Sequence, residues 1–364
     1  MPRPRPFPFD GSQTGVFHVV SRVAGREFVL GDEEKEFFTR TLHAYADLLG
    51  VEVLTHCTMS NHFHILLRVP ERPAVVGEEA GAAISGGPSL EELLRRLEAA
   101  VGAEQMRQIR KNLDLWQSSG AHDLIEQWRQ RQVDAMYSLS EYMKRVKQRF
   151  TRWYNKRTGR VGIFWEDRYR STIVEDETRA LRMMGTYIDL NPVRAGITDD
   201  PGSYRWSGYA EAMAGSVLAQ EGLARITGAT AERVLGRGLE EPARVETSGQ
   251  RRRRHLRALI HYRQMLGLAG RPGTREDGTV IRRGISAKVQ ARLERDSGVR
   301  REQLLRRVRH FTRGVIFGSR EFIDEWFGRN RDWFGGSSRE KRQTGARPIG
   351  RSWKGLYNLR QLRQ

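Results

Sequence analysis

The chain has 364 residues, with 63 Lys and Arg against 44 Asp and Glu and a formal net charge of +19. Its 38% hydrophobic and 29% charged residues are the composition of a soluble globular protein long enough for two domains, and no uncharged apolar run approaches the roughly 18 residues that span a bilayer. One cysteine, Cys57, excludes a disulfide framework and a multi-cysteine metal site within one chain; the start, MPRPRPFPFDG, lacks the apolar centre of a signal peptide, so a cytoplasmic protein is expected.

Residues 15–23, GVFHVVSRV, read as a strand. Gly31 to Gly50 reads as a helix, with Asp32 as its cap, Phe38, Leu42, Tyr45 and Leu49 at helical spacing, and Gly50 as its stop. VEVLTHCT (51–58) and HFHILLRV (62–69) read as two strands joined by Met59-Ser60-Asn61. Residues 71–88 are a Gly- and Ala-rich loop. Ser89-Leu90-Glu91-Glu92 is a capping box opening a helix to about residue 113, and a further helix covers about 122–136, so 71–136 reads as a helical insertion. Ser138-Leu139-Ser140-Glu141 opens a helix through about Tyr154, with Met143, Val146 and Phe150 on one side. Residues 161–174 read as one bent or two short strands. Glu175 to Asn191 reads as a helix with Leu181, Met184 and Ile188 facing a core, ended by Pro192. Over residues 1–214 this order predicts an α+β fold of ferredoxin type, an antiparallel sheet with helices on one face. Residues 215–250 read as a linker with one short helix. Residues 251–334 read as a basic, mostly helical nucleic-acid-binding region, in which LERDSGVRREQLLRRVRHF has the outline of a helix-turn-helix. From Gly335 the tail has the composition of a disordered segment.

The charge is unevenly placed. Residues 251–364 hold 30 Lys and Arg against 10 Asp and Glu, beginning with Arg251, Arg252, Arg253 and Arg254, while residues 1–250 are almost neutral. A second basic concentration, containing Lys144, Lys147, Arg152, Arg168 and Arg170, is interleaved with Phe150, Trp153, Tyr154, Phe164, Trp165 and Tyr169. Cations for a backbone and flat rings for bases are what a single-stranded nucleic acid needs, but most of these rings read better as core, and it is the net positive surface that is expected to bind a polyanion. These nine basic residues are the expected DNA contacts.

Two small constellations carry chemistry. His62 and His64 flank Phe63, so on a strand both imidazoles leave one face and can chelate one divalent ion. Tyr187 and Asn191 stand four apart and share a helical face; a phenol is a usable nucleophile beside a cation, and an amide oxygen is a hard ligand. Each alone also reads as ordinary packing or capping. The other histidines, His18, His43, His56, His122, His255, His261 and His310, receive no role, with His56 read as structural.

Together, HVVSR, HCTMS followed by NHFHILL, GIFWEDRYR, YIDLNPVRAG and YRWSGY resemble the single-tyrosine HUH transposases, in particular those associated with REP elements. The resemblance covers about residues 1–70 and 137–214; the insertion and the basic C-terminal third depart from it. It implies an HUH endonuclease fold, His62, His64 and Asn191 on Mg2+ or Mn2+, and Tyr187 as the nucleophile forming a 5′-phosphotyrosine. Its expected partner is single-stranded or hairpin DNA, and a homodimer is compatible with it. A catalytically silent hairpin-binding regulator and a replication- or relaxase-type nickase remain alternatives. A hydrolytic zinc enzyme is disfavoured, since no third ligand stands at a zincin-like spacing.

Overall fold

The computed structural model describes residues 13–73, 87–229, 246–274, 280–295, 314–329, 347–348 and 356–360. Four strands form the central antiparallel sheet: β1 (Gly15–Arg22), β2 (Glu52–Thr58), β3 (His62–Val69) and β4 (Arg170–Val174), in the order β2-β3-β1-β4. β1 pairs with β3 from Gly15↔Val69 to Arg22↔His62, and β2 sets His56 opposite Ile65 and Cys57 opposite His64. α1 (Asp32–Leu49) connects β1 to β2 and ends at Gly50, whose φ of 65° is the left-handed geometry that glycine adopts without a Cβ penalty. Its cap position is Gly31 rather than Asp32; Glu34 accepts the Gly31 amide, and Asp32, Glu33 and Glu34 place negative charge in the first turn.

The insertion is helical, as three elements: α2 (Leu90–Ala100), α3 (Ala103–Ser118) and α4 (His122–Asp134). The single helix expected from 89 to 113 is broken at Val101, which is extended at ψ 160°, and Gly102. The Ser89 and Ser138 capping boxes hold in their first half, each hydroxyl accepting the amide three residues on. α5 (Leu139–Thr158) precedes β4. α6 (Thr178–Asp189) and the short α7 (Asn191–Arg194) follow it, then α8 (Gly208–Met213).

The α+β class is as expected, but helices cover both faces of the sheet rather than one. β1 and β3 are buried on both sides, so their alternate residues enter two cores. Phe17, Val19, Phe63, Ile65 and Leu67 meet Phe38 and Leu42 of α1 and Val146 and Phe150 of α5. Val16, Leu54, Cys57, Leu66 and Val174 meet Leu181, Met184 and Ile188 of α6, with further helices behind it.

Those further helices come from segments expected to lie outside the domain. The expected linker contains α9 (Val217–Thr227), which lies so close to β2 that a Cβ on Gly222 would stand 2.3 Å from the Leu54 carbonyl oxygen. The basic region begins with α10 (Ser248–Ala269), whose Ala258, Tyr262, Leu266 and Ala269 enter the α6 core. β5 (Gly273–Thr274) and β6 (Val280–Arg282) form a small separate hairpin, followed by α11 (Ala287–Arg295). β7 (Gly314–Gly318) adds to β4 in parallel, and α12 (Arg320–Arg329) follows it. β8 (Arg347–Pro348) and β9 (Tyr357–Arg360), within the expected tail, extend the same sheet to seven strands among the described residues. The helix-turn-helix outline beyond Arg295, its turn included, and most of the 71–88 loop lie outside the described residues. No described helix is long and apolar enough to cross a membrane.

Candidate active site

β3 supplies the first half. Phe63 and Ile65 enter the α1–α5 core and Leu66 the α6 core, so strand alternation turns His62 and His64 toward α6. Their ring centroids are 5.1 Å apart. His62 Nδ1 donates to Asn61 Oδ1 at 2.7 Å, and His64 Nδ1 stands 3.0 Å from His18 Nε2. Asn61 Oδ1 can only accept, so His62 Nδ1 carries the proton and its Nε2 the lone pair; His64 presents the same lone pair in the tautomer in which its Nδ1 donates to His18. Burial first, and the Arg22 charge second, pushes His62 down to about 4; burial and then His18 hold His64 well below its ordinary value. Both imidazoles are therefore neutral near pH 7, the form that binds a divalent ion.

α6 supplies the second half. The Tyr187 ring meets His64 edge-on at 5.6 Å between centroids and His18 at 5.8 Å. Only 2% of Tyr187 is exposed, and burial pushes its phenol up to about 12, opposed by Arg194. The Arg194 guanidinium lies 5.1 Å from the ring centroid and donates to the Tyr187 carbonyl at 3.2 Å. Asn191 Nδ2 donates to the carbonyls of Tyr187 and Ile188, both at 3.1 Å, so the amide caps α6 and its orientation leaves Oδ1 as the group for a cation. Capping and ligation are compatible uses of one side chain.

A buried carboxylate seats this helix. Asp189, fully buried, accepts from Thr55 Oγ1 of β2 at 2.9 Å, from the Tyr209 amide at 3.2 Å and from the Tyr262 hydroxyl at 2.5 Å. Desolvation outweighs these donors and raises its carboxyl to about 7. Asp189 thereby joins the sheet, the Tyr187 helix and the basic α10.

The expected DNA contacts divide. Lys144, Arg152, Arg168, Arg170, Arg251, Arg252 and Arg253 are exposed, whereas Lys147 is half-buried and donates to the Asp167 carbonyl at 2.7 Å. Arg254 is a correction: it is 3% exposed, and its guanidinium is held by both oxygens of Glu221 and both of Glu246. Four paired bonds leave it no reach to a phosphate. The rings interleaved with these cations are core, as most of them were expected to be: Phe150, Tyr154, Phe164, Trp165 and Tyr169 are buried and Trp153 stacks on Phe37 at 4.1 Å.

Sequence reasoning missed His18 and Arg194. His18 shares strand parity with Val16 and Val20 in GVFHVVSR, and the β1–β3 pairing brings it beside His64. Arg194 follows Tyr187 by seven residues, two helical turns on the same side. Among known proteins, residues 12–77 match the family model described as transposase, IS200-like. No curated protein matches. A solved structure of a REP-associated tyrosine transposase bound to a REP hairpin is similar at 13% identity and a TM-score of 0.36, over 59% of this chain and 87% of that one. The family match thus spans the strand–helix–hairpin that carries His62 and His64.

Proposed function

We propose that the protein cuts and rejoins single-stranded DNA beside hairpin repeats, as a transposase or a processor of such elements, through a 5′-phosphotyrosine on Tyr187. His62, His64 and Asn191 would hold Mg2+ or Mn2+. The observation that carries the reading is the meeting of the His62–His64 pair, from the β2–β3 hairpin, with a phenol more than 120 residues away, the Tyr187 and His64 rings 5.6 Å apart. The family match over residues 12–77 supports transposition chemistry for the histidine half.

A divalent ion, when bound, supplies charge that polarises and orients the scissile phosphate. The chain's own groups do the rest. Asn61 keeps His62 in one tautomer, and His18 holds the His64 ring in its orientation. Arg194 lowers the cost of charge on the phenol oxygen as its proton departs. The tyrosine oxygen bonds to phosphorus, and the 3′-oxygen leaves with the electron pair and takes up a proton. One phosphodiester replaces another, so a later 3′-hydroxyl reverses the step without ATP. The exposed Lys144, Arg152, Arg168, Arg170, Arg251, Arg252 and Arg253 would meet the phosphate backbone.

A second reading, a hairpin-binding regulator that does not cut, is favoured by the burial of Tyr187 and its raised phenol. One experiment separates the two. A labelled hairpin oligonucleotide with a single-stranded flank is incubated with protein and Mn2+, then run on a denaturing gel. The strand-transfer reading expects a covalent adduct in the unaltered chain and none in Tyr187→Phe, with hairpin affinity kept. Binding without an adduct in the unaltered chain selects the regulator.

A further inference from the structure

A second histidine cluster lies apart from the one just described. His43 of α1, His56 of β2 and Glu211 of α8 bring their ligand atoms within 4.8 Å of one another. His43 Nε2 is 2.9 Å from Glu211 Oε2, and His56 Nε2 is 3.6 Å from Glu211 Oε1. The histidine rings are 5.6 Å apart. We propose that His43, His56 and Glu211 form a second divalent-cation site, of zinc type, that pins α1 and α8 together around the edge strand β2.

The strongest support is His56 itself. It is 0% exposed, and neither ring nitrogen has a hydrogen-bond partner. A buried imidazole with no hydrogen bond has given up its water for nothing closer than the Glu211 carboxylate at 3.6 Å, an arrangement that natural cores avoid. A cation on Nε2 supplies the missing partner. Nearby side chains share the condition: Thr39, one turn before His43 on α1, and Thr58, two residues after His56 on β2, each have a buried hydroxyl without a partner.

The donor set fits zinc. Two imidazoles and one carboxylate leave a fourth tetrahedral position for water, and His43 and Glu211 keep some solvent access, with side chains 22% and 17% exposed. Bonds of 2.0–2.1 Å in a tetrahedron put donors about 3.3 Å apart, and with one ligand atom from each residue the three donors here lie within 4.8 Å of one another. Rotation of the solvent-accessible His43 and Glu211 side chains would draw the three donors in to that spacing.

The site is distinct from the Tyr187 centre by strand parity. His56 stands opposite Ile65, whose side chain enters the α1–α5 core, whereas its neighbour Cys57 stands opposite His64. The two histidine sets thus use opposite faces of the sheet. β2 is the terminal strand of that sheet, so a cation here joins a helix on one face to α8, whose Tyr209 and Ala212 pack in the other core. The proposal is independent of any cleavage by Tyr187.

The test titrates the chelator-stripped, full-length chain with Zn2+ alone, reading stoichiometry by competition with a chromophoric chelator and stability by Tm. His43→Gln and Glu211→Gln are measured separately, because each changes a side chain with solvent access and spares the buried His56; circular dichroism confirms that each folds. Relative to the unaltered chain, each is expected to lose one bound equivalent, or to bind it more than the roughly 10–100-fold weaker that loss of an outer-shell partner produces, and to lose the matching rise in Tm. The same loss is expected when His62→Ala is present throughout, which separates this equivalent from the other histidine pair. Unchanged zinc stoichiometry and affinity in both Gln variants, with or without His62→Ala, overturns the proposal.

Discussion

Replacing Tyr262 by Phe removes one donor from the carboxylate that seats the Tyr187 helix, and the cost should depend on pH. Asp189 is fully buried, with a carboxyl raised by desolvation to about 7 from an ordinary 3.8. Between pH 4 and 7 the native state therefore holds a proton that the unfolded chain has released. Stability contributed by this group is present below pH 4 and lost as pH rises toward 7, by up to about 4 kcal/mol at 1.36 kcal/mol per pKa unit. At pH 8 the ionised carboxylate relies on the Tyr262 hydroxyl at 2.5 Å, and losing a bond to a charged group costs about 1.5–3 kcal/mol. At pH 5 the same bond joins neutral groups and its loss costs about 0.5–1.5 kcal/mol. Urea denaturation of Tyr262→Phe against the unaltered chain, at both pH values, reads the difference; the depressed histidines titrate in both proteins and cancel. A penalty that is equal at pH 5 and pH 8, or absent at both, would refute the account of Asp189.

The remaining predictions concern the site and the basic residues. Arg254→Ala should cost about 1.5–3 kcal/mol in the same denaturation assay, because it removes charge-assisted bonds to Glu246 and to the half-exposed Glu221, whereas Arg252→Ala on the exposed side should stay within about 0.5 kcal/mol. Equal effects would reject the inward placement of Arg254. Replacing Arg251, Arg252 and Arg253 together should reduce the slope of log affinity against log salt for single-stranded DNA by about 2, three phosphate contacts at roughly 0.7 each; an unchanged slope removes them from the interface. His18→Gln should weaken Mn2+ binding about 10–100-fold by freeing the His64 ring, and calorimetric titration showing unaltered affinity would sink that positioning role. Arg194→Met should slow adduct formation near pH 8 and move the pH profile upward, since the phenol loses the cation that opposes its burial; a profile that does not move contradicts that role.

What the sequence made legible was local. Alternation in NHFHILL placed both imidazoles on one face and Phe63 and Ile65 on the other, because a strand has a period of two whatever surrounds it. The Ser89 and Ser138 boxes located two helix starts for a similar reason. Other features were present in the pattern but outweighed by composition. Arg254, Ala258, Tyr262, Leu266 and Ala269 repeat at helical spacing, so an inward stripe on α10 could be read from a segment whose charge drew attention to its surface. β1 carries apolar residues at both parities, which indicates burial on both faces. The extension of the sheet by β7, β9 and β8 was not legible: these are short strands whose pairing with β4 and with one another depends on distant contacts, and nothing in GVIFG or YNLR names a partner. His43, His56 and Glu211 were invisible as a set, since they come from three elements separated by up to 168 residues.

The most direct measurement of the central claim is peptide mapping of the protein–DNA adduct by tandem mass spectrometry. The chain is treated with a hairpin oligonucleotide and Mn2+, digested with nuclease and protease, and searched for a nucleotide-bearing peptide. The account predicts a single modified residue, Tyr187, joined through phosphate to the 5′ end of the released strand. A nucleotide on any other residue, or an adduct of the same yield from Tyr187→Phe, would contradict it.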